Sequence, residues 1–220
     1  MAETGINIKV TNTVLGSIPK VNANSMLFVV GASATESVGN AVGFSLNIPI
    51  MIRSVSELEE YNITVENNPK LYAHVEDFYR PTPFVDNTGT ILWIVGLEDN
   101  DIGDAVSFVQ QTVQKGFEFR PRNLMFSFKS DETTESLSSW LEGTQDSLSG
   151  VMQELYENGF SCVAVFGIYS EDSIGTIESA VESAGLKSPF TGWVVVKTDN
   201  PAIDDVAVGK VGGYMASLSV

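Results

Sequence analysis

Short apolar runs alternate with stretches of helical spacing from residue 90 almost to the end of this chain. Ile91 to Val95 is an uninterrupted apolar run of the kind carried by a strand covered on both faces. Gly96 to Gly103 is an acidic turn in which Asp101 is placed to cap the helix that follows. Ala105, Val106, Val109 and Val113 recur at helical spacing, Gly116 closes that helix, and Leu124, Phe126 and Phe128 alternate as a further strand. A right-handed crossover of this length predicts that the two strands are parallel neighbours. Beyond it, Trp140 to Asn158 and Ile174 to Ala184 each carry one apolar helical face, while Cys162 to Ile168 and Trp193 to Val196 have the pattern of buried strands. Ala202 to Leu218 reads as a last helix, and its small residues Ala207, Gly209, Gly212, Gly213 and Ala216 let another backbone approach closely. The alternation predicts an α/β fold, with a mostly parallel sheet and helices on both faces.

The first third of the chain has a different texture. Ile6, Ile8 and Val10 alternate with Asn7, Lys9 and Thr11, so the chain begins as an extended strand arm with no local partner. Such an arm adds to the edge of its own sheet or to that of a neighbouring subunit. Val14 to Ser25, with Gly16 and Pro19, is an irregular linker, and Met26 to Val30 is a buried-type strand. Gly31 to Gly43 is rich in small residues but has neither the spacing of a Walker loop nor that of a dinucleotide fingerprint, so it is expected to be a flexible surface loop. Phe44 to Ile52 contains Pro49 and is expected at a sheet edge or as a broken strand. Ser54 and Glu57 have the spacing of a capping box, and Asn68-Pro69 opens a helix whose stripe of Leu71, Tyr72, Val75, Phe78 and Tyr79 faces a sheet. Pro81 and Pro83 mark a boundary. The expected organisation is an arm and linker over 1–20, a smaller α+β lobe over 21–88 and an α/β domain over 89–220.

Charge narrows the function classes. With 28 acidic and 12 basic residues the net charge is −16, which excludes the basic footprint that nucleic acids and anionic membranes require. The imbalance is concentrated: eleven acids and no Lys or Arg lie between Lys129 and Lys187. These acids are a solvated surface or one half of a complementary charged contact. No apolar run approaches the roughly 20 residues that span a bilayer, and the first residues lack the pattern of a signal peptide. The single cysteine, Cys162, leaves no internal disulfide and fits a buried thiol in a reducing cytoplasm.

Candidate chemistry is sparse. His74 is the one histidine, and without a G-x-S-x-G elbow it points to a helix histidine rather than a catalytic triad. Glu98 to Asp104 alternates carboxylates before Gly103, but Gln110 stands where a calcium loop needs its last glutamate, and helix capping accounts for the acids. No catalytic residue, metal or cofactor is therefore assigned. The competing class is a cytoplasmic α/β domain that binds a ligand or catalyses a reaction at the carboxyl ends of its parallel strands, near Gly96, Lys129, Gly167 and Lys197. A third is a plain adaptor that binds one partner through the first lobe.

The alternating first strand, the lobe from Phe28 to Tyr79, the run Gly89-Thr90-Ile91-Leu92-Trp93-Ile94-Val95 and the closing Val208-Gly209-Lys210-Val211-Gly212-Gly213-Tyr214-Met215-Ala216 together resemble the contractile tail sheath proteins of phages and prophages. That resemblance implies a non-catalytic subunit that assembles in rings or a helical tube around an inner tail tube protein. It also implies assembly in the bacterial cytoplasm and residence in a virion tail or phage-like particle. Terminal strand exchange in that family implies an interface role for Ile6, Ile8, Lys9 and Val10. A basic patch of Lys115, Arg120, Arg122 and Lys129 is the expected counterpart of the acidic surface. Sheath proteins usually continue into a further domain and a second arm, and this sequence stops at Val220.

Overall fold

The computed structural model describes residues 26–81, 87, 89–98, 102–110, 121, 123–129, 137–158, 162–170, 174–185, 188–197 and 207–217. Among these residues six strands form one sheet: β1 (Met26–Gly31), β2 (Ile50–Ile52), β3 (Leu92–Leu97), β4 (Asn123–Lys129), β5 (Val163–Ser170) and β6 (Thr191–Lys197). Their order is β2-β3-β1-β4-β5-β6, and every pairing is parallel except the short antiparallel one between β2 and β3. The five parallel strands follow one of the common orders of doubly wound sheets. Pro49 directly precedes β2, which is held to three residues at the sheet edge where a missing N–H is tolerated.

The order corrects one expectation. β3 and β4 are not neighbours, because β1 lies between them and pairs with both, Leu27 standing opposite Trp93 on one side and Leu124 on the other. Hydrophobic spacing fixes that a segment is a strand; it does not fix which strand takes the centre. All of Met26 to Val30 is buried, and a strand apolar on both faces gains most where both faces and both edges are covered. The sheet thus takes strands from both sides of the boundary expected between residues 88 and 89.

Helices cover both faces. α1 (Pro69–Tyr79) and α5 (Ala207–Ser217) lie over the face that carries Met26, Phe28, Leu92, Ile94 and Met125, together with a 3₁₀ turn at Val55–Tyr61. α2 (Ile102–Phe108) and α3 (Leu137–Glu157) lie over the opposite face, where Leu27, Val29, Val95, Leu124, Phe126 and Phe166 point. α4 (Ile174–Ala184) packs against α3 through Leu141, Ile177 and Ala184. The two sets alternate residue by residue along β1, as period-two geometry requires.

Local capping differs from the sequence pattern in one place. Ser54 makes no side-chain cap, Glu57 reaches back to accept from the backbone N–H of Arg53 at 2.9 Å, and the segment winds as a 3₁₀ turn. α1 does begin at Pro69 after Asn68, as expected. The Asn68 side chain leaves the helix uncapped and bonds the N–H and the carbonyl of Ser33 instead, at 2.7 and 3.1 Å.

α1 and α5 touch almost backbone to backbone. A methyl group on Gly209 would overlap the carbonyl of His74, one on Gly212 would overlap the Met125 sulfur, and one on Gly213 would stand 2.6 Å from the carbonyl of Phe78. These three positions of the expected small-residue helix therefore have a structural cause. At the far end of the pair the Tyr79 hydroxyl donates to the carbonyls of Ile52 and Thr90, at 3.0 and 2.8 Å.

Candidate functional site

The parallel sheet has two chemically different ends. At the carboxyl end, β1 keeps its register with β3 as far as Gly31 opposite Leu97, and β4 keeps its register with β5 as far as Lys129 opposite Tyr169. Between β1 and β4 the pairing stops earlier, at Val29 opposite Phe126. The two strands diverge where winding reverses, which is the place where doubly wound sheets accept ligands.

The loop after β1 closes over part of this end. Ala32 N–H donates to the carbonyl of Leu97 at 2.8 Å, Ser33 N–H to Asn68 Oδ1 at 2.7 Å, and Thr35 N–H to the carbonyl of Phe44 at 2.9 Å. Thr35 Oγ1 donates to the carbonyl of Tyr61 and accepts from Phe44 N–H. The ring of Phe44 occupies the space that the missing side chain of Gly96 leaves, since a methyl there would lie 2.7 Å from it. A loop that cradles phosphate needs its N–H groups turned outward. Here three are turned to protein acceptors, and the segment expected to be flexible is tied down by defined bonds.

His74 points from α1 toward β4, where its Nε2 lies 3.2 Å from Ser127 Oγ and its ring meets Phe28 edge-on. Both His74 and Ser127 are 1% exposed, so the pair is sealed between helix and sheet. A nucleophile must be reached by its substrate. Sequence spacing could not reveal this pair, because its members are 53 residues apart and meet only through the α1–β4 contact. Cys162, immediately before β5, is buried as expected, and burial pushes its thiol up to about 11.

Of the other residues singled out, Gly96 lies buried in β3 under Phe44, and Lys129, Gly167 and Lys197 lie in β4, β5 and β6 near their carboxyl ends. Ile6, Ile8, Lys9, Val10, Lys115, Arg120 and Arg122 lie outside the described residues. Glu98 and Asp104 are exposed at the mouth of α2, and no cluster able to hold a metal occurs among the described residues. No helix among the described residues is long and apolar enough to cross a membrane.

Several large apolar side chains also stand outward at the carboxyl end. Of the seven large apolar side chains exposed among the described residues, Val38, Val42, Ile48 and Val65 belong to this end. The loops that carry them are stitched together by Val42 N–H to the carbonyl of Glu60 at 2.7 Å and by Asn62 Nδ2 to the carbonyl of Glu36 at 3.0 Å. Glu36, Glu59, Glu60 and Glu66 stand exposed around them, and the Thr64 hydroxyl holds the Glu66 carboxyl below its usual value. At the amino end, Arg53 follows β2 and Arg80 follows α1, both exposed, with Arg80 2.9 Å from Asp77.

Comparison with protein-family models and with curated proteins finds no match to this chain.

Proposed function

We propose that the chain is a self-assembling structural subunit of the contractile tail sheath type, which stacks around an inner tube and acts mechanically without catalysis. The observation that carries this reading is the placement of its two most reactive groups. The single histidine and the single cysteine are 1% and 5% exposed, while large apolar side chains stand outward at one end of the sheet. Reactive groups turned inward and apolar groups turned outward favour a surface that binds protein over one that performs chemistry. The glycine-rich stretch from Val208 to Ala216 supports it as well, by packing α5 on α1 as a rigid pair. Work is then done by sliding between two lattices of different interface free energy.

Electron microscopy with sedimentation velocity, across a concentration and salt series, tests the proposal. Rings, tubes or sheets are the expected outcome, and a strict monomer at every concentration overturns it.

A second reading, a ligand-binding α/β domain, draws on the early parting of β1 and β4 at the carboxyl end. The sealed His74–Ser127 pair and the occupied donors of the loop after β1 weigh against it. Saturable binding of a small molecule that protects Ser33 and Gly31 amides from hydrogen exchange would favour it.

A further inference from the structure

We infer that one corner of the carboxyl end, built from the loop after β1, the 3₁₀ turn and the turn before α1, docks a basic segment of a different protein that carries apolar side chains among its lysines or arginines. The partner is not a second copy of this chain, so the inference goes beyond self-assembly and is independent of it.

Val38 and Val42 flank a tight turn, which Gly39 makes at a φ of 63° and which Ala41 N–H closes on the carbonyl of Val38 at 3.0 Å. The turn is pinned from outside. Val42 N–H donates to the carbonyl of Glu60 at 2.7 Å, Asn62 Nδ2 to the carbonyl of Glu36 at 3.0 Å, and Thr35 Oγ1 to the carbonyl of Tyr61 at 2.7 Å. The carbonyl of Asn62 in turn accepts from Asn67 Nδ2 at 2.7 Å, which joins the turn carrying Val65 to the same corner. All three valines are more than half exposed, so these bonds hold them out in water. Apolar side chains presented within a polar rim mark a contact surface. One already held in place loses little conformational entropy when a partner covers it.

Charge selects the partner. From residue 31 to residue 69 the sequence has five glutamates, no aspartate, no lysine and a single arginine. Glu36, Glu59, Glu60 and Glu66 stand exposed at this corner. The arginine, Arg53, follows β2 at the far end of the strands, where Glu57 accepts from its backbone N–H. Of the other described basic residues, Lys70 is half-buried and already engaged, and Arg80 ends α1 at the far end beside Asp77. Lys129, Lys197 and Lys210 belong to β4, β6 and α5. α1 packs between α5 and the 3₁₀ turn, and β1 and β3 separate β4 from β2, so those lysines stand away from the corner. An apolar centre in an acidic rim fits a segment that sets aliphatic or aromatic groups on the valines and ammonium or guanidinium groups on the glutamates. A second copy would arrive with the same net charge of −16, which opposes the contact.

Fluorescence anisotropy on the full chain at low salt, with a short labelled peptide of alternating leucine and lysine, tests the inference. Val38→Ser with Val42→Ser removes the apolar centre, and Glu36→Lys with Glu60→Lys reverses the rim while keeping the backbone carbonyls that hold the loops. Glu154→Lys with Glu157→Lys makes the same change of net charge at exposed positions on α3. All are checked for native circular dichroism. Both corner variants are expected to bind the peptide at least about tenfold more weakly than the wild type, and the α3 variant to bind it nearly as well. A peptide of alternating serine and lysine is expected to bind the wild type at least about tenfold more weakly than the leucine peptide. No binding of the leucine peptide to the wild type, wild-type binding by either corner variant, or equal weakening by the α3 variant overturns the inference. In sedimentation velocity without peptide the corner variants are expected to self-associate as the wild type does. Loss of self-association in them assigns the corner to a second copy and overturns the inference while the assembly reading stands.

Discussion

Asn87 donates its side-chain amide to the carbonyl of Gly213, 126 residues away in sequence, at 2.7 Å. The same amide nitrogen donates to the carbonyl of Phe78 at 2.9 Å, so one side chain ties the last turn of α1 to α5. The carbonyl of Phe78, in the last turn of α1, has no partner within its own helix. Asn87→Leu removes both donors at a position that is 1% exposed and is expected to cost about 2–3 kcal/mol. Urea unfolding checks this, with the midpoint lowered and the slope unchanged.

The glycines divide into two sets that respond in opposite directions. Gly209→Ala drives a methyl into the backbone of His74, which no side-chain rotation can relieve, and about 3 kcal/mol of destabilisation is expected. Gly212→Ala meets the flexible end of Met125 and is expected to cost less. Gly143 and Gly150 in α3 have open space where a Cβ would stand, so Gly150→Ala is expected to stabilise by roughly 0.5–1 kcal/mol. Thermal unfolding of the three variants against the wild type tests the ordering.

Cys162 gives a pH signature. Burial raises its pKa from 9.0 to about 11, which makes the thiolate about a hundredfold scarcer at pH 8 than for a free thiol. Alkylation of the native protein at that pH is expected to be slower by at least this factor and to recover on unfolding. Because the folded value lies above the unfolded one, the associated stability is fully present below pH 9.0 and is lost as pH rises toward about 11. A thiol that reacts at the free rate in the native protein contradicts the sealed position.

Salt should act on assembly and leave the fold largely alone. The core that joins β1, β3 and β4 is apolar, whereas both poles of the sheet carry exposed charge. Raising salt to about 0.5 M, where the screening length falls to a few ångströms, is expected to weaken association with little change in the unfolding midpoint. Association that is insensitive to salt counts against a charged contact between subunits.

Much of the fold is legible in the sequence, for a physical reason that also marks where legibility ends. Met26 to Val30 and Ile174 to Ala184 declare themselves because burial imposes a period, and the structure places β1 and α4 there with nearly the same bounds. The Leu71 to Tyr79 stripe faces the sheet as its spacing implies. The insertion of β1 between β3 and β4 leaves no periodic trace, since it is decided by contacts between segments far apart. The His74–Ser127 pair and the Asn87 tie escape for the same reason. The resemblance-based interface residues Ile6, Ile8, Lys9, Val10, Lys115, Arg120 and Arg122 stand outside the described residues.

The central place of β1 also has a consequence for synthesis. The first of the described strands to leave the ribosome acquires its neighbour β3 only after residue 92 and its neighbour β4 only after residue 123. Until then Met26 to Val30, apolar on both faces, has an open edge that any passing strand can join. A nascent chain from which residues 26–98 but not 123–129 have emerged holds three strands of an unfinished sheet, β2-β3-β1, with the edge of β1 that takes β4 still open.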